Sequence, residues 1–315
     1  MTTSTLGRPN ALANGLRILG DEWAMLIIQR GILGDRRYTE FKDALGISDA
    51  VLTQRLRELA DLGVLRPVGD SSGRTTAYPI GIIGRDLWQV LLMIWDWEQA
   101  WSTASPPLPA MRHRSCGAVF RPMLSCGSCE LPCSTSDLIV RWGPEGGWDR
   151  SIPRGGRRRR GSGPGLFPAT MGVVGNHWSL AVLVAALWGT RRYGDFQSTL
   201  SMSPAILSER LRTLVAAGFL AEHPSEQRTD WLEYRPTARG TALLPVFALM
   251  VTWAERWFGR SDSPSVLLQH HTCGESLRPQ LLCDRCREPV FGADVLVAES
   301  EMWQTNSIQP HHSQQ

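Results

Sequence analysis

At 315 residues, 43% of them hydrophobic, the chain has the length of about two domains, each able to bury a core of its own. No apolar run nears the roughly 18 residues of a membrane span, and the opening MTTSTLGRPN lacks a signal-peptide core, so a soluble cytoplasmic protein is expected. A formal net charge of +3 excludes a strong overall field; nearly all the bases are arginine, Lys42 being the one lysine, a usage that suits phosphate and guanine and that a GC-rich genome would also produce.

Residues 1–10 read as a tail. From Ala11 to about Leu33, the residues Leu12, Leu16, Leu19, Trp23, Leu26 and Ile27 recur at helical spacing. Arg36–Leu45 reads as a second helix stopped by Gly46. Ser48 then suits the cap of a third helix with Val51, Leu52, Leu56 and Leu59 on one side and Gly63 as its stop. Val64-Leu65 starts a strand, Gly69–Thr76 is a polar, turn-rich tip, and the chain returns through Tyr78. Three helices followed by two short strands around a polar tip predict a winged helix-turn-helix. A further helix follows over Asp86–Trp101.

About 155 residues on, the same unit recurs: Trp23, Arg36-Arg37-Tyr38, Phe41, Leu52, Arg55, Leu56, Leu59 and Gly63 are matched by Trp178, Arg191-Arg192-Tyr193, Phe196, Leu207, Arg210, Leu211, Leu214 and Gly218. Ser203 is the second cap, with Pro204 at the first helical position, where proline is welcome. Phe219-Leu220, a tip over Pro224–Asp230, Tyr234 and a helix over Ala242–Phe258 complete the copy, with Trp253 and Trp257 matching Trp97 and Trp101.

The runs L-G-D-E-W, G-D-R-R-Y-T-E-F and G-I-S-D-A-V-L-T-Q-R-L-R-E-L-A-D-L-G-V-L resemble the HxlR-type winged helix family of bacterial transcription regulators. G-N-H-W, T-R-R-Y-G-D-F and M-S-P-A-I-L-S-E-R-L-R-T-L-V-A-A-G-F-L give a second full match, the two covering roughly residues 11–101 and 166–258. The resemblance implies sequence-specific binding of double-stranded DNA. The family usually forms homodimers of one such unit, so tandem copies imply a covalent pseudo-dimer. Some members sense oxidants through a cysteine about 13 residues before the matching tryptophan; here Asn10 and Gly165 stand there, so that sensing is not expected.

Behind each unit lies H-x2-C-x9-C-x2-C: His113, Cys116, Cys126 and Cys129, then His270, Cys273, Cys283 and Cys286, each 157 positions on. Two ligand pairs brought together by a loop resemble a zinc ribbon, so each set is expected to close on one structural Zn2+, two per chain, with His271 as the fallback for His270. Six of the seven cysteines belong to these sets. Cys133 has Val290 as its counterpart and reads as incidental. Three thiolates per ion would lower the net charge toward +1. Each ribbon continues into a strand, Asp137-Leu-Ile-Val and Asp294-Val-Leu-Val.

The fold class is therefore mainly α with small β wings (α+β): two winged helix-turn-helix domains, each with a small zinc-ribbon-like appendage. The expected boundaries are 11–104 and 110–140 for the first domain and ribbon, and 141–165 for an Arg/Gly/Pro-rich linker. The second domain and ribbon take 166–260 and 266–300, before a tail over 301–315. About 25 linker residues reach roughly 25–30 Å, near the 34–36 Å between half-sites one DNA turn apart.

On the third helix, Ser48, Asp49, Ala50, Thr53, Gln54 and Arg57 face away from the leucines, with Gln54 suited to adenine edges and Arg57 to guanine or phosphate. The second copy offers Ser203, Pro204, Ala205, Ser208, Glu209 and Arg212; Glu209 repels phosphate, so the heads should not read identical half-sites. Arg36-Arg37 and Arg191-Arg192 open their second helices, where phosphate binds, and Arg74 and Arg228 lie in the wing tips, within reach of a minor groove. Arg55 and Arg210 lie nearer the core and read as structural. The Arg157–Arg160 run could add unspecific phosphate contacts or be a plain solvated linker.

No catalytic constellation emerges: His177 and His223 are isolated, and the closed metal sets speak against a zinc enzyme. The expectation is a DNA-binding regulator, more readily a repressor, located at the nucleoid, whose operator is an imperfect palindrome; whether two chains pair further stays open. The rivals are a second unit used for protein–protein interaction, and a zinc- or redox-responsive sensor.

Overall fold

The computed structural model describes residues 9–102, 108–152, 167, 169–171, 176–226, 228, 231–260 and 262–297. The first repeat opens with α1 (Ala11–Leu19) and α2 (Glu22–Leu33). The sequence reads as one helix here, but the structure breaks it, because Asp21 takes extended dihedrals and its carboxylate accepts from Ala24 N at 3.0 Å, capping α2. Next come α3 (Tyr38–Leu45), α4 (Asp49–Asp61), a short wing of β1 (Val68–Gly69) and β2 (Thr75–Ala77), α5 (Ile82–Arg85) and α6 (Trp88–Trp101). Leu52, Leu56 and Leu59 of α4 are fully buried, and each such side chain contributes about 1.5–3 kcal/mol. Gly63 ends the unit at φ +70°, a conformation that costs a side chain strain. Val64-Leu65 forms only one bridge, Leu65 with Ile80, and the ladder begins at Val68.

The second repeat follows the same plan through α8 (His177–Leu187), α9 (Tyr193–Leu200) and α10 (Pro204–Ala216), which is capped by Ser203. A longer wing, β6 (Leu220–Pro224) and β7 (Leu232–Pro236), leads to α11 (Ala238–Thr241) and α12 (Leu244–Phe258). The first ribbon supplies β3 (Met111–His113), β4 (Pro122–Cys126) and β5 (Leu138–Trp142), and the second supplies β8 (Val266–His270), β9 (Pro279–Cys283) and β10 (Val295–Val297).

Within a ribbon only isolated bridges form among the described residues, Arg112 with Val119 and Ser125 with Pro132 in the first and Gln269 with Ser276 and Leu282 with Pro289 in the second. β4 runs antiparallel to β9, β5 to β8 and β3 to β10, so all three ladders join one repeat to the other. The registers are reciprocal. Leu124 pairs with its own counterpart Leu281, and Asp21 bridges its counterpart Asn176. The indole N–H of Trp97 donates to Arg239 O at 3.1 Å, and that of Trp253 donates to Ile83 O at 2.9 Å, each donor and acceptor standing in the matching position of the two copies. One continuous core spans both repeats. At its centre α1 crosses α12 so closely that a Cβ on Gly15 would lie 2.7 Å from Met250 Sδ.

The stretch beginning at Arg141, read as linker, is ordered through Ile152. β5 carries on to Trp142, and α7 (Trp148–Ser151) presents Trp148. Both indoles meet Trp188 with ring centres 4.7 and 5.3 Å away, an aromatic anchor that composition alone conceals. Asn10, read as tail, is buried; it caps α1 and donates to Ser151 Oγ at 2.8 Å. The Arg157–Arg160 run and the 301–315 tail lie outside the described residues.

Candidate DNA-binding faces and metal centres

With its leucines inward, α4 turns Ser48, Asp49, Ala50, Thr53, Gln54 and Arg57 to solvent. Arg36 and Arg37 are exposed at the start of α3, and Arg74 is exposed in the wing. Their backbone is held by local carboxylates. Glu40 accepts from the N–H groups of Arg36 and Arg37 at 2.7 and 2.8 Å, which lower its carboxyl below the usual range. Asp70 accepts from Arg74 N at 3.1 Å and shapes the wing tip. Asp49 is lowered by its hydrogen bonds to Lys42 and then Tyr38, whose hydroxyl also lies 3.4 Å from Thr53 Oγ1. Gln54 donates to Glu58 at 3.0 Å. Arg55 pairs with Asp21 at 2.9 Å and with Glu58 at 3.1 Å.

The second face is arranged differently. Ser203, Pro204, Ala205, Glu209 and Arg212 are exposed on α10, with Ser208 half-buried against the Tyr193 hydroxyl. Arg191 turns inward and donates to the Ala186 and Thr190 carbonyls, and burial, with Arg235 nearby, pushes its guanidinium below the ordinary arginine range. Arg192 and Arg228 both lie over the Trp231 ring, 5.2 and 4.7 Å from its centre. Glu209 pairs with Arg210 at 2.5 Å, and Arg212 Nε donates to Ser208 O at 3.3 Å.

All eight expected metal-ligand side chains gather, but in crossed sets. His113 and Cys116 meet Cys283 and Cys286, while Cys126 and Cys129 meet His270 and Cys273. The expectation that each set closes within its own repeat is therefore corrected. The physical reason is β4: after a tight turn at Gly117, five extended residues carry Cys126 on the order of 17 Å along the strand, into the other site. Ladders β4–β9, β3–β10 and β5–β8 then bring the partner repeat's ligands alongside.

Every knuckle ends in a left-handed residue: Gly117 and Gly274 after the H-x2-C pairs, Glu130 and Arg287 after the C-x2-C pairs. At Glu130 and Arg287 a non-glycine residue accepts that conformation, and each donates its N–H back to the carbonyl of the first cysteine, Cys126 or Cys283. Such turns aim backbone N–H groups at sulfur. For Cys126, burial raises the thiol, but hydrogen bonds from the Ser128, Cys129 and Arg278 backbone outweigh it and bring the value to about 6.

The donor sets fit a tetrahedral ion. With Zn–S near 2.3 Å and Zn–N near 2.05 Å, neighbouring ligands should stand about 3.6 Å (N to S) and about 3.8 Å (S to S) apart. In the first site His113 Nδ1 lies 3.6 Å from Cys116 Sγ and 3.3 Å from Cys286 Sγ, and Cys116 lies 3.9 Å from Cys283. In the second, His270 Nδ1 lies 3.4 Å from Cys273 and 3.3 Å from Cys129, and Cys126 lies 4.0 Å from Cys273. His271 is not in the cluster. Nor is Cys133, whose thiol is pushed up to about 12 by burial and then by the neighbouring thiols.

The HxlR-like helix-turn-helix family model matches residues 18–106 and again 173–262, more than half of the chain. The chain belongs to this family. An uncharacterized HTH-type transcriptional regulator of Mycobacterium tuberculosis (strain H37Rv), Rv3095, is 34% identical over 123 residues, which is 39% of this chain and 78% of that protein. YvaP of Bacillus subtilis (strain 168), another uncharacterized HTH-type transcriptional regulator, is 26% identical over 96 residues, 30% of this chain and 89% of it. The crystal structure of PA1607 is 31% identical, covering 45% of this chain and 97% of that one, with a TM-score of 0.39.

Rv3095 and YvaP are thus matched over 78% and 89% of their length by less than half of this HxlR-like chain. The winged units account for the family match, while the crossed ribbons bind the two units to each other. Sequence reasoning missed Trp231, Glu226 and Glu233, which hold Arg192, Arg228 and Arg235 in the second wing. The tryptophan beside the tip of a wing, with Arg228 and Arg235 on either side in sequence, was the available signal.

Proposed function

We propose that this HxlR-like protein is a sequence-specific, double-stranded-DNA-binding transcriptional regulator that acts as a covalent pseudo-dimer, with α4 and α10 as its reading helices. The observation that carries it is the first head, where exposed Ala50, Thr53, Gln54 and Arg57 on α4 are flanked by exposed Arg36, Arg37 and Arg74. That is the layout of a reading helix with phosphate grips on either side. The second head adds Ser203, Ala205, Ser208, Glu209, Arg212, Arg192 and Arg228, with Glu209 favouring a cytosine edge and Arg191 withdrawn onto backbone carbonyls. Two unlike heads call for an imperfect palindrome, and a two-headed body lying on DNA acts most simply as a repressor at the nucleoid.

Each crossed Cys3His set holds a structural Zn2+, two per chain, bound by His113, Cys116, Cys283 and Cys286 and by Cys126, Cys129, His270 and Cys273. Such an ion, if bound, would cross-link the two repeats through all four side chains of each set. Selection of bound duplexes from random DNA should return two related, unequal half-sites. Affinity for the selected duplex should fall by about 0.9 log units per log salt for each phosphate neutralised. A flat salt response would remove the regulator reading.

A second reading rests on the inward turn of Arg191 and on Glu209: the second unit binds a protein, and only the first touches DNA. Arg212→Ala with unchanged DNA affinity would favour it.

A further inference from the structure

Neither metal set is complete within one repeat. The ladder β4–β9 crosses the middle of the ribbon layer with Leu124 against Leu281, and the two ion sites lie at its two ends, where Cys283 and Cys126 end their strands. Each ion would therefore tie a knuckle of the first ribbon to a knuckle of the second. The ribbons in turn grip the helices that join the heads. Arg121 holds Asp96 of α6 with bonds of 2.6 and 2.9 Å, and the indole of Trp95 donates to Pro109 O at 3.1 Å. On the other side, Glu255 of α12 accepts from the N–H groups of Ser265 and Val266 at 2.9 and 3.1 Å, at the entry to β8. Those same helices carry Trp97 and Trp253, the reciprocal bonds between the repeats.

Resting on the zinc reading above, we propose that the two ions are clasps: metal binding and docking of the two repeats are thermodynamically coupled. A within-repeat site would stabilise only its own small ribbon. A shared site couples its binding free energy to the inter-repeat interface, because neither half alone offers four ligands. Because one core already joins the repeats, metal availability sets how firmly the chain holds its two heads in one relation. The control is over the spacing of half-sites, distinct from any change in how one head reads DNA.

The pairing is tested by metal content in the full-length chain, using zinc and then Co2+ as the spectroscopic probe of thiolate coordination. The double variant Cys116→Ser with Cys283→Ser strikes one shared site, so it should keep one ion. The double variant Cys116→Ser with Cys126→Ser, both in one repeat, strikes two sites and should keep none. The opposite pattern would overturn the clasp and leave the zinc reading intact; a wild-type chain that takes up neither metal overturns both. The coupling is tested by placing a protease site between positions 154 and 165, folding the intact chain with zinc, and then cutting it. The fragments should stay associated, and chelation should raise their dissociation constant by about tenfold or more. A dissociation constant indifferent to chelation would overturn the coupling even with both ions shared.

Discussion

In the first head Arg36, Arg37, Arg57 and Arg74 all stand on the surface, whereas in the second Arg191 is turned into backbone carbonyls and Arg192 and Arg228 lie over Trp231. The helices α4 and α10 have the same length and the same three buried leucines. A duplicated unit has thus kept what folds it and changed what it shows to solvent. Burial explains the split: a core leucine is constrained by its neighbours at every atom, while an exposed cation is free to acquire a new partner. The comparison predicts matched responses to core changes and unmatched responses to surface ones.

The largest effect should come from Leu52→Ala and Leu207→Ala. Each removes a side chain with no exposed surface, costing about 2–5 kcal/mol. With one core running through both repeats, denaturant unfolding of either variant should remain a single transition, shifted by a similar amount. Two separated transitions, or a loss confined to one variant, would break the symmetry claimed for the cores.

That symmetry is the part most readable from the amino acids. The leucine spacing of α4, the Ser203–Pro204 start of α10 and the Gly63 and Gly218 stops all reflect local geometry, which a single segment encodes. The eight ligand residues were equally legible as types. Their partnership was not, since spacing within a segment says nothing about which strand will lie beside it. One signal was present: nine residues separate Cys116 from Cys126, shorter than the ~15–20 usual between the knuckles of a self-closed ribbon. The linker was misjudged at its start for a similar reason. Gly and Pro dominate Arg141–Gly165, but Trp142 and Trp148 find Trp188, a partner that only the fold supplies.

Next in size is Arg57→Ala against Arg212→Ala, measured as affinity for a selected duplex by fluorescence anisotropy. Arg57 should cost about 1–3 kcal/mol and flatten the salt slope. Arg212, which already donates to Ser208 O and stands one turn from Glu209, should cost less than half of that. Equal losses would show that the second head grips DNA as the first does, and that its exposed face outweighs its occupied arginines.

A smaller, reciprocal pair sharpens the same point. Glu209→Gln gives the second head the residue type of Gln54, removing one charge from the DNA-facing surface and releasing Arg210. Affinity at low salt should rise by about two- to fivefold, and the gain should fade as salt screens the charge. Gln54→Glu should lower it by a similar factor. If Glu209 instead accepts from a cytosine, Glu209→Gln will weaken binding to the selected site while strengthening binding to unrelated duplexes. If the second head never meets DNA, Glu209→Gln will leave affinity unchanged while Gln54→Glu still lowers it.

The smallest difference is one of pH. Asp49 opens α4 with its carboxyl held below the usual range by Lys42 and then Tyr38, and Glu40 is held down by the backbone of Arg36 and Arg37. A depressed carboxylate contributes stability that is fully present above its unfolded value and is lost as pH falls through the folded one. The contribution should therefore hold at neutral pH and fade from about pH 5 downward, complete only below the usual carboxylate range. In the second head Pro204 occupies the position of Asp49 and carries no proton. Amide exchange followed by mass spectrometry between pH 5 and 3, corrected for the intrinsic rate, should show the start of α4 loosening before the start of α10. Asp49→Asn should abolish most of that lead, because the amide cannot titrate while its size is unchanged. Simultaneous loosening of both helices in the unmodified chain would mean that acid acts through the shared core, and that the local carboxylates of the first head do not set its threshold.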